Sequence, residues 1–569
     1  MIRAFETHKI RRCEELSSSL WDLSIPTASE AVHRLRVPVP GCWETYPQTR
    51  TYRGKAAYER SFEAGGNIRL VFKGVSHTAD VFLDGKKIAH HYNAYTPFDV
   101  LVTGLEEGTH LLRVEADNSY GPSSTLHFPN DYQTYGGITR GAVMEAIGDL
   151  FIEKLHFTPF RKEDGWYGTI CLSLRNVSPA AVSGTLSLAM NEMVFSTVPV
   201  TVDAGECRDL VLPQLSFPSV KEWSVNEPNL YLLQAVFSGD DGTPRDDLIE
   251  RIGFREICVS GRSLLLNGKP FFIKGFCRHE DHPNFGSAIP FQVMYGDLAM
   301  MREMGANAVR TVHYPNDELF LDLCDELGML VWEESHARAL DEEQMRVPLF
   351  MEQSSACVRE MITAHFNHPS ICIWGFLNEC ASSTPFGKIC YQQHYDLIRS
   401  LDQSRPCSFS SCSKGTDLCL GIPDIVSFNV YPEWYEQSAA EDYLNQLLEW
   451  IENETEGAGK PFLITETGAG ALYGYRTPYR VKWSEEYQAE ALKSQLEAAA
   501  QLERSGRCIG VFIWQFCDVR VSDEWFFSRP RTMNNKGIVD EYRRPKLAFE
   551  TVRQIWSSPE NDPSYVHFS

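Results

Sequence analysis

No run of 18 apolar residues occurs in this chain of 569, so no helix is expected to cross a membrane. The N-terminal stretch, Met1-Ile-Arg-Ala-Phe-Glu-Thr-His-Lys-Ile-Arg-Arg12, is charged throughout and lacks the apolar core of a secretion signal, so a cytoplasmic setting is expected. Positive charge is scarce: 53 Lys and Arg face 76 Asp and Glu, leaving a formal charge of −23. Nucleic acid and anionic membrane surfaces attract clustered Lys and Arg, so neither is expected as a partner. An anionic ligand would have to be met by cations placed locally. Sixteen cysteines are present, but no Cys-x-x-Cys pair. Several lie inside apolar runs (Cys277, Cys372, Cys517), a pattern of free thiols rather than of a disulfide scaffold or a zinc site. Cys380 has no basic partner in view and is read as a neighbour of Glu379, not as a nucleophile. No cofactor and no metal are expected.

What is present divides the chain in three. From 1 to 157, short alternating strands separated by turns, with an Asp84-Gly85 hairpin signal, predict a β-sandwich jelly roll. Within it lies a long irregular stretch from Gly121 to Arg140, whose aromatics and paired glycines predict an ordered, functional loop. From 158 to 258 the strand spacing predicts an immunoglobulin-like sandwich with no constellation of chemical groups. From 259 to 569 strands alternate with amphipathic helices. Eight strand candidates, 271–276, 308–313, 329–334, 371–379, 407–411, 425–431, 461–467 and 509–516, predict a TIM (β/α)8 barrel.

The barrel candidates carry the chemistry. Ile371-Cys-Ile-Trp-Gly-Phe-Leu-Asn-Glu379 is an apolar run that stops at an amide and a carboxylate, and Pro461-Phe-Leu-Ile-Thr-Glu466 ends in the same way. Catalytic groups of such barrels sit at the carboxyl ends of the strands. Two glutamates delivered there are what glycosidic-bond hydrolysis requires, one to protonate the leaving oxygen and one to attack the anomeric carbon. At the same rim the sequence gathers Arg278-His-Glu-Asp281, His313, Glu334-Ser-His-Ala-Arg338, Asn429, Tyr431, Trp434, Tyr435 and Trp514. Glu379 follows an apolar strand and a neutral amide, so it is expected to be the protonated member of the pair, with Glu466 held ionised by hydrogen bonds.

The three-part order, Lys274-Gly-Phe-Cys-Arg-His-Glu-Asp281, Arg310-Thr-Val-His-Tyr-Pro315, the Asn378-Glu379 pair and Thr465-Glu466 before Gly468 together resemble glycoside hydrolase family 2, and within it the β-glucuronidase branch. The resemblance implies retention of anomeric configuration, Glu379 as acid/base and Glu466 as nucleophile. It further implies Tyr431 as the donor to Glu466, Asn378 on the sugar 2-hydroxyl, Asp131 reaching from the long loop toward the C4 hydroxyl, and Asn534-x-Lys536 on the sugar carboxylate. An ammonium beside a donor amide suits that task, since hydrogen bonds to charged groups contribute about 1.5–3 kcal/mol each.

Two features depart from the family pattern. His336 and Arg338 stand where small or apolar residues are usual, so an extra cation could touch the carboxylate or an axial C4 hydroxyl. Only about twenty residues separate Arg338 from a helix expected near Ser355, which predicts an open mouth without a long lid. The expected activity is a retaining exo-β-hexuronidase, first of the β-glucuronidase type. The alternatives are, in order, a β-galacturonidase, a β-galactosidase of the same family and a non-catalytic glycan-binding protein. The expected partners are a small-molecule or oligosaccharide uronide and further copies of the same chain.

Overall fold

The computed structural model describes residues 2–26 and 32–557, apart from the side chains of Phe526 and Ser528. Its first layer is an eight-stranded antiparallel sheet dominated by two long partners, Lys55–Phe72 and Phe98–Asp117. Alternation along these strands sends Tyr58, Phe62, Leu70, Leu112 and Val114 into one core. The Asp84-Gly85 signal folds as read: Leu83 pairs with Lys86, and both turn residues have positive φ, 50° and 80°. A sandwich of a three-stranded and a four-stranded sheet follows, closed on Leu172, Leu174, Leu186, Leu188, Leu233 and Phe254.

The barrel strands are β1 (Ile273–Arg278), β2 (Ala308–Thr311), β3 (Leu330–Glu334), β4 (Ile371–Gly375), β5 in two pieces (Cys407–Ser408 and Ser410–Ser411), β6 (Val426–Asn429), β7 (Phe462–Thr467) and β8 (Gly510–Ile513). All run parallel and neighbours in sequence are neighbours in the sheet, with β8 returning to β1. The first piece of β5 pairs with β4 and the second with β6. The seam is bridged where Ser408 Oγ donates to Ile425 O at 2.7 Å and meets Ser427 Oγ at 2.8 Å. Helices α1 (Phe291–Glu303), α2 (Glu318–Leu327), α3 (Pro348–His365), α4 (Pro385–Leu401), α5 (Ala440–Glu454), α6 (Glu485–Arg504) and α7 (Leu547–Trp556) cover the outside. Between β5 and β6 the chain crosses without a helix.

Three expectations are corrected here. Strand β4 ends at Gly375, not at Glu379, and Leu377 and Glu379 sit in left-handed backbone at φ 49° and 52°. The strand stops because the chain bends across the barrel top, where Phe376 N donates to Ser408 O and Glu379 N to Ser410 O. Left-handed backbone in a non-glycine residue is costly, and such strain concentrates at functional sites. Gly375 permits the bend, since a Cβ there would lie 2.3 Å from Trp332 Nε1. Helix α3 begins at Pro348 rather than near Ser355, because a proline suits the first helical turn. The segment after β3 is therefore shorter than expected, and it contains one helical turn, Glu342–Met345.

The Gly121-to-Arg140 loop is ordered and crosses from the first sheet onto the barrel. Arg140 Nη2 donates to Glu280 Oε2 and to Pro315 O, each at 2.7 Å. Tyr135 OH donates to Asp281 Oδ2 at 2.9 Å, and Asn130 N donates to Ser522 Oγ at 2.9 Å. Gly136 N is held by both oxygens of the buried Glu44 at 3.0 Å. The loop from Asn130 to Arg140 is thus fixed, with Asp131 buried within it.

Candidate active site at the barrel rim

Strand register explains why the polar residues converge. Asn429, the last residue of β6, pairs with Glu466 on β7, and Arg310 on β2 reaches across the barrel interior beneath them. Arg310 Nη1 donates to Glu466 Oε1 at 2.9 Å, and its Nη2 donates to Asn378 Oδ1 at 2.8 Å and to Glu334 Oε2 at 2.9 Å. Tyr431 OH donates to Glu466 Oε2 at 2.7 Å. Asn429 Nδ2 donates to Glu379 Oε1 at 2.9 Å and to Asn378 Oδ1 at 3.2 Å, while its Oδ1 accepts from Thr465 Oγ1 at 2.9 Å. Asn429 and Arg310 therefore tie the two expected carboxylates into one network. His313 Nδ1 lies 2.8 Å from Glu334 Oε1, and its ring stacks on Trp514 with centroids 5.1 Å apart.

Burial pushes the Glu466 carboxyl up to about 7, opposed by the Arg310 guanidinium and assisted by the charge of Glu379. The hydrogen bonds expected to hold Glu466 ionised are present, but burial raises the group despite them. Two donors do not offset full burial next to a second carboxylate. Burial, together with the neighbouring Arg310 and Arg338, holds His313 well below its ordinary range, so its imidazole is neutral.

A second cluster faces the same space. Asp131 Oδ1 lies 3.1 Å from Arg338 Nη2, and Asp131 Oδ2 lies 3.5 Å from Arg529 Nη2 and accepts from Asn534 Nδ2 at 3.2 Å. Burial alone would raise the Asp131 carboxyl, but Arg338, Lys536 and Arg529 outweigh it and hold the group below the usual carboxylate range. Arg338 Nη2 also stands 3.9 Å from Glu379 Oε2, and Nη1 donates to Asn130 Oδ1. Lys536 is 4% exposed; its Nζ donates to Tyr435 OH at 2.8 Å and lies 5.4 Å from the Tyr431 ring centroid. Burial works against ionisation of the Tyr435 phenol, yet the Lys536 ammonium prevails and draws it below its ordinary value.

All twelve expected side chains thus fall into two joined clusters. Glu379, Glu466, Asn378, Asn429, Tyr431, His313 and Trp514 form one, and Asp131, Arg338, Asn534, Lys536 and Tyr435 the other. His336 is not among them. It turns behind the pocket, where its Nε2 lies 3.2 Å from Tyr132 OH and its ring meets His127 at 4.4 Å. Arg310 and Glu334 stood within motifs read from the sequence but were given no role of their own, and Arg529 was not singled out. A buried arginine in mid-strand and a strand-end glutamate were the available signals.

Several buried polar atoms of these clusters have no hydrogen-bond partner among the described residues: Asn378 Nδ2, His313 Nε2, Arg338 Nε, Asn534 Oδ1 and Arg529 Nε. Buried polar groups left unsatisfied are costly, so a set converging on one cleft marks where a polyhydroxylated ligand would bind. Elsewhere His8, Cys13 and Glu145, and likewise Asp322, Asp325 and His368, bring ligand atoms within 4.8 Å of one another. Guanidinium groups already occupy their carboxylates, Arg11 on Glu145 and Arg3 on Asp322, which disfavours a cation at either.

Comparison with known proteins agrees with this three-part fold. Residues 257–561 match the family described as "Glycosyl hydrolases family 2, TIM barrel domain", residues 150–255 match "Glycosyl hydrolases family 2", and residues 45–143 match "Glycosyl hydrolase 2 galactose-binding domain-like". A β-galacturonidase of this family from Eisenbergiella tayi, solved with galacturonate bound, is 57% identical, superposes with a TM-score of 0.95, and matches over 98% of this chain and 99% of that one. The β-glucuronidase of Homo sapiens is 25% identical over 99% of this chain and 89% of that protein. A longer relative from Formosa agariphila is 26% identical, with 92% of this chain matched to 66% of that protein.

Proposed function

Because this chain belongs to glycosyl hydrolases family 2, we propose that it is a retaining exo-β-hexuronidase that prefers β-D-galacturonides over β-D-glucuronides. The observation that carries the preference is Arg338. Its guanidinium stands between Asp131 and Glu379 with a buried Nε that has no partner among the described residues. A galacturonide differs from a glucuronide by an axial C4 hydroxyl, and Arg338 Nε is the donor poised for it, with Asp131 accepting the hydroxyl proton. The relative that binds galacturonate, matched over nearly the whole chain, supports the same choice.

In the first step a Glu466 oxygen bonds to the anomeric carbon as the glycosidic C–O bond breaks, and Glu379 gives its proton to the departing oxygen. In the second step a water bonds to the anomeric carbon and returns a proton to Glu379, while the Glu466–carbon bond breaks and frees the uronic acid. Tyr431 and Arg310 hold the attacking carboxylate in place. The Asn378 amide, with Nδ2 unpartnered, meets the sugar 2-hydroxyl. Asn534 and Lys536 receive the sugar carboxylate. A neutral sugar would leave that desolvated ammonium uncompensated, which disfavours a β-galactosidase.

Side-by-side kcat/KM on p-nitrophenyl β-D-galacturonide and β-D-glucuronide tests the preference, with Arg338→Met as control. Loss of a hydrogen bond to a charged donor, about 1.5–3 kcal/mol, should lower galacturonide turnover roughly tenfold to a hundredfold and glucuronide turnover less. Equal loss on both would remove Arg338 from the selection of C4. The sixteen free cysteines support a reducing, cytoplasmic setting, and the uncharged edge strand Met193–Val202, with Met193 73% exposed, supports self-association. A light-scattering mass equal to one chain would count against the latter.

A further inference from the structure

We propose that the fully buried Asp518–Lys546 pair is a positioning device for the segment that receives the substrate carboxylate. This rests on the reading that Asn534 and Lys536 bind that group. Both side chains of the pair are 0% exposed, and Lys546 Nζ lies 2.7 Å from Asp518 Oδ1. Neither belongs to the two clusters at the rim, yet most of their remaining contacts go to the segment that carries Asn534 and Lys536. Lys546 Nζ donates to Asn535 O at 3.4 Å and to Ala471 O at 2.7 Å. Asp518 Oδ1 accepts from Gly537 N at 2.9 Å, and its Oδ2 accepts from Asn535 Nδ2 at 3.3 Å.

The four consecutive carbonyls of this segment are all occupied. Gln515 Nε2 donates to Asn534 O at 3.2 Å and Gln515 N to Lys536 O at 3.0 Å. Ala471 N joins Lys546 on Asn535 O at 2.9 Å, and Gln488 Nε2 donates to Gly537 O at 3.0 Å. Residues 534 and 536 face the pocket, while 535 and 537 face the buried pair. Asn534 and Lys536 reach Asp131 and Tyr435 while Asn535 and Gly537 are held by Asp518, so fixing the odd residues fixes the even ones between them. Gly537 lets the segment approach, because a Cβ there would lie 2.2 Å from Asp518 N and 2.3 Å from Val539 O.

A buried ion pair is weak evidence for stability, since desolvation offsets most of the attraction, and geometric specification is the better-attested role. Here the specified object is the distance between the Lys536 ammonium and the sugar carboxylate. A displacement of about 1 Å at such a contact can lower kcat/KM on the order of a hundredfold.

The test compares Asp518→Asn, Lys546→Met, Gln488→Met and Lys536→Ala with the parent protein, by KM and kcat on p-nitrophenyl β-D-galacturonide and by calorimetric binding of galacturonic acid and of galactose. The expected result is a KM raised about tenfold to a hundredfold in each positioning variant, with kcat within about twofold. Galacturonic acid binding should weaken in parallel and galactose binding should hold. Gln488→Met removes a donor to Gly537 O without leaving a buried charge, so it remains informative where the charge variants fail to fold. Loss of galacturonic acid and galactose binding together in the folded variants would overturn the positioning role, and so would an unchanged KM. If Lys536→Ala itself spares galacturonic acid binding, the carboxylate reading falls instead.

Discussion

Glu379 and Glu466 share a short network but not an environment. Glu466 lies within β7, is 4% exposed and is bound by Arg310 and Tyr431; Glu379 lies past the end of β4 on left-handed backbone and is bound by Asn429. As the proposed nucleophile Glu466 must be anionic to attack, and burial with the adjacent Glu379 raises it to about 7. Turnover is therefore predicted to fall as pH drops through about 7, as Glu466 takes up a proton. Glu379 must hold its proton while Glu466 is anionic, so the two carboxyls share one proton; with the second carboxyl absent in Glu379→Gln, that limb should move to lower pH, observed as the pH profile of kcat/KM with an activated aryl uronide. The same variant should lose roughly a hundredfold to ten-thousandfold on a substrate with a poor leaving group and far less on the activated one. An equal loss on both, or a limb that does not move, would contradict the assignment. The identities of both glutamates were legible because each follows an apolar run and precedes a turn. The state of Glu466 was not, because burial is set by seven other strands that a local run does not reveal.

At the scale of elements, seven barrel strands were legible as short, largely buried runs alternating with helical patterns. The break in β5 was not. Cys407-Ser-Phe-Ser-Ser411 reads as one strand, and its division comes from pairing with β4 on one side and β6 on the other. The start of α3 was legible in Pro348 and was placed too late. The loop from Gly121 to Arg140 was correctly read as ordered, although the sequence could not name its partners. Those partners yield a prediction. Arg140 and Glu280 are 3% and 2% exposed and joined at 2.7 Å. Arg140→Met would leave Glu280 buried without its counter-ion, which costs about 3–5 kcal/mol. Chemical denaturation should register that loss, and KM for the uronide should rise because Asp131 is carried by the same loop. A loss of stability with KM unchanged would separate loop docking from substrate binding.

Across the whole molecule, the N-terminal segment ties the three layers together. Arg3 makes a two-pronged contact with Asp322 on α2 at 3.0 and 2.9 Å, and Arg11 reaches Asp246 in the second sandwich and Glu145 in the first sheet. With a net charge of −23, the chain nevertheless concentrates Arg338, Arg529 and Lys536 around one cleft. That concentration is what an acidic protein requires to receive an acidic sugar. The central claim is a double displacement on Glu466 in a site built for a uronide. It is tested most directly by inactivating the protein with a 2-deoxy-2-fluoro-β-D-galacturonosyl fluoride, whose slow second step accumulates the glycosyl-enzyme, and mapping the labelled peptide by mass spectrometry. The account predicts one galacturonosyl group per chain, on Glu466; a label on any other residue, or none after prolonged exposure, would contradict it.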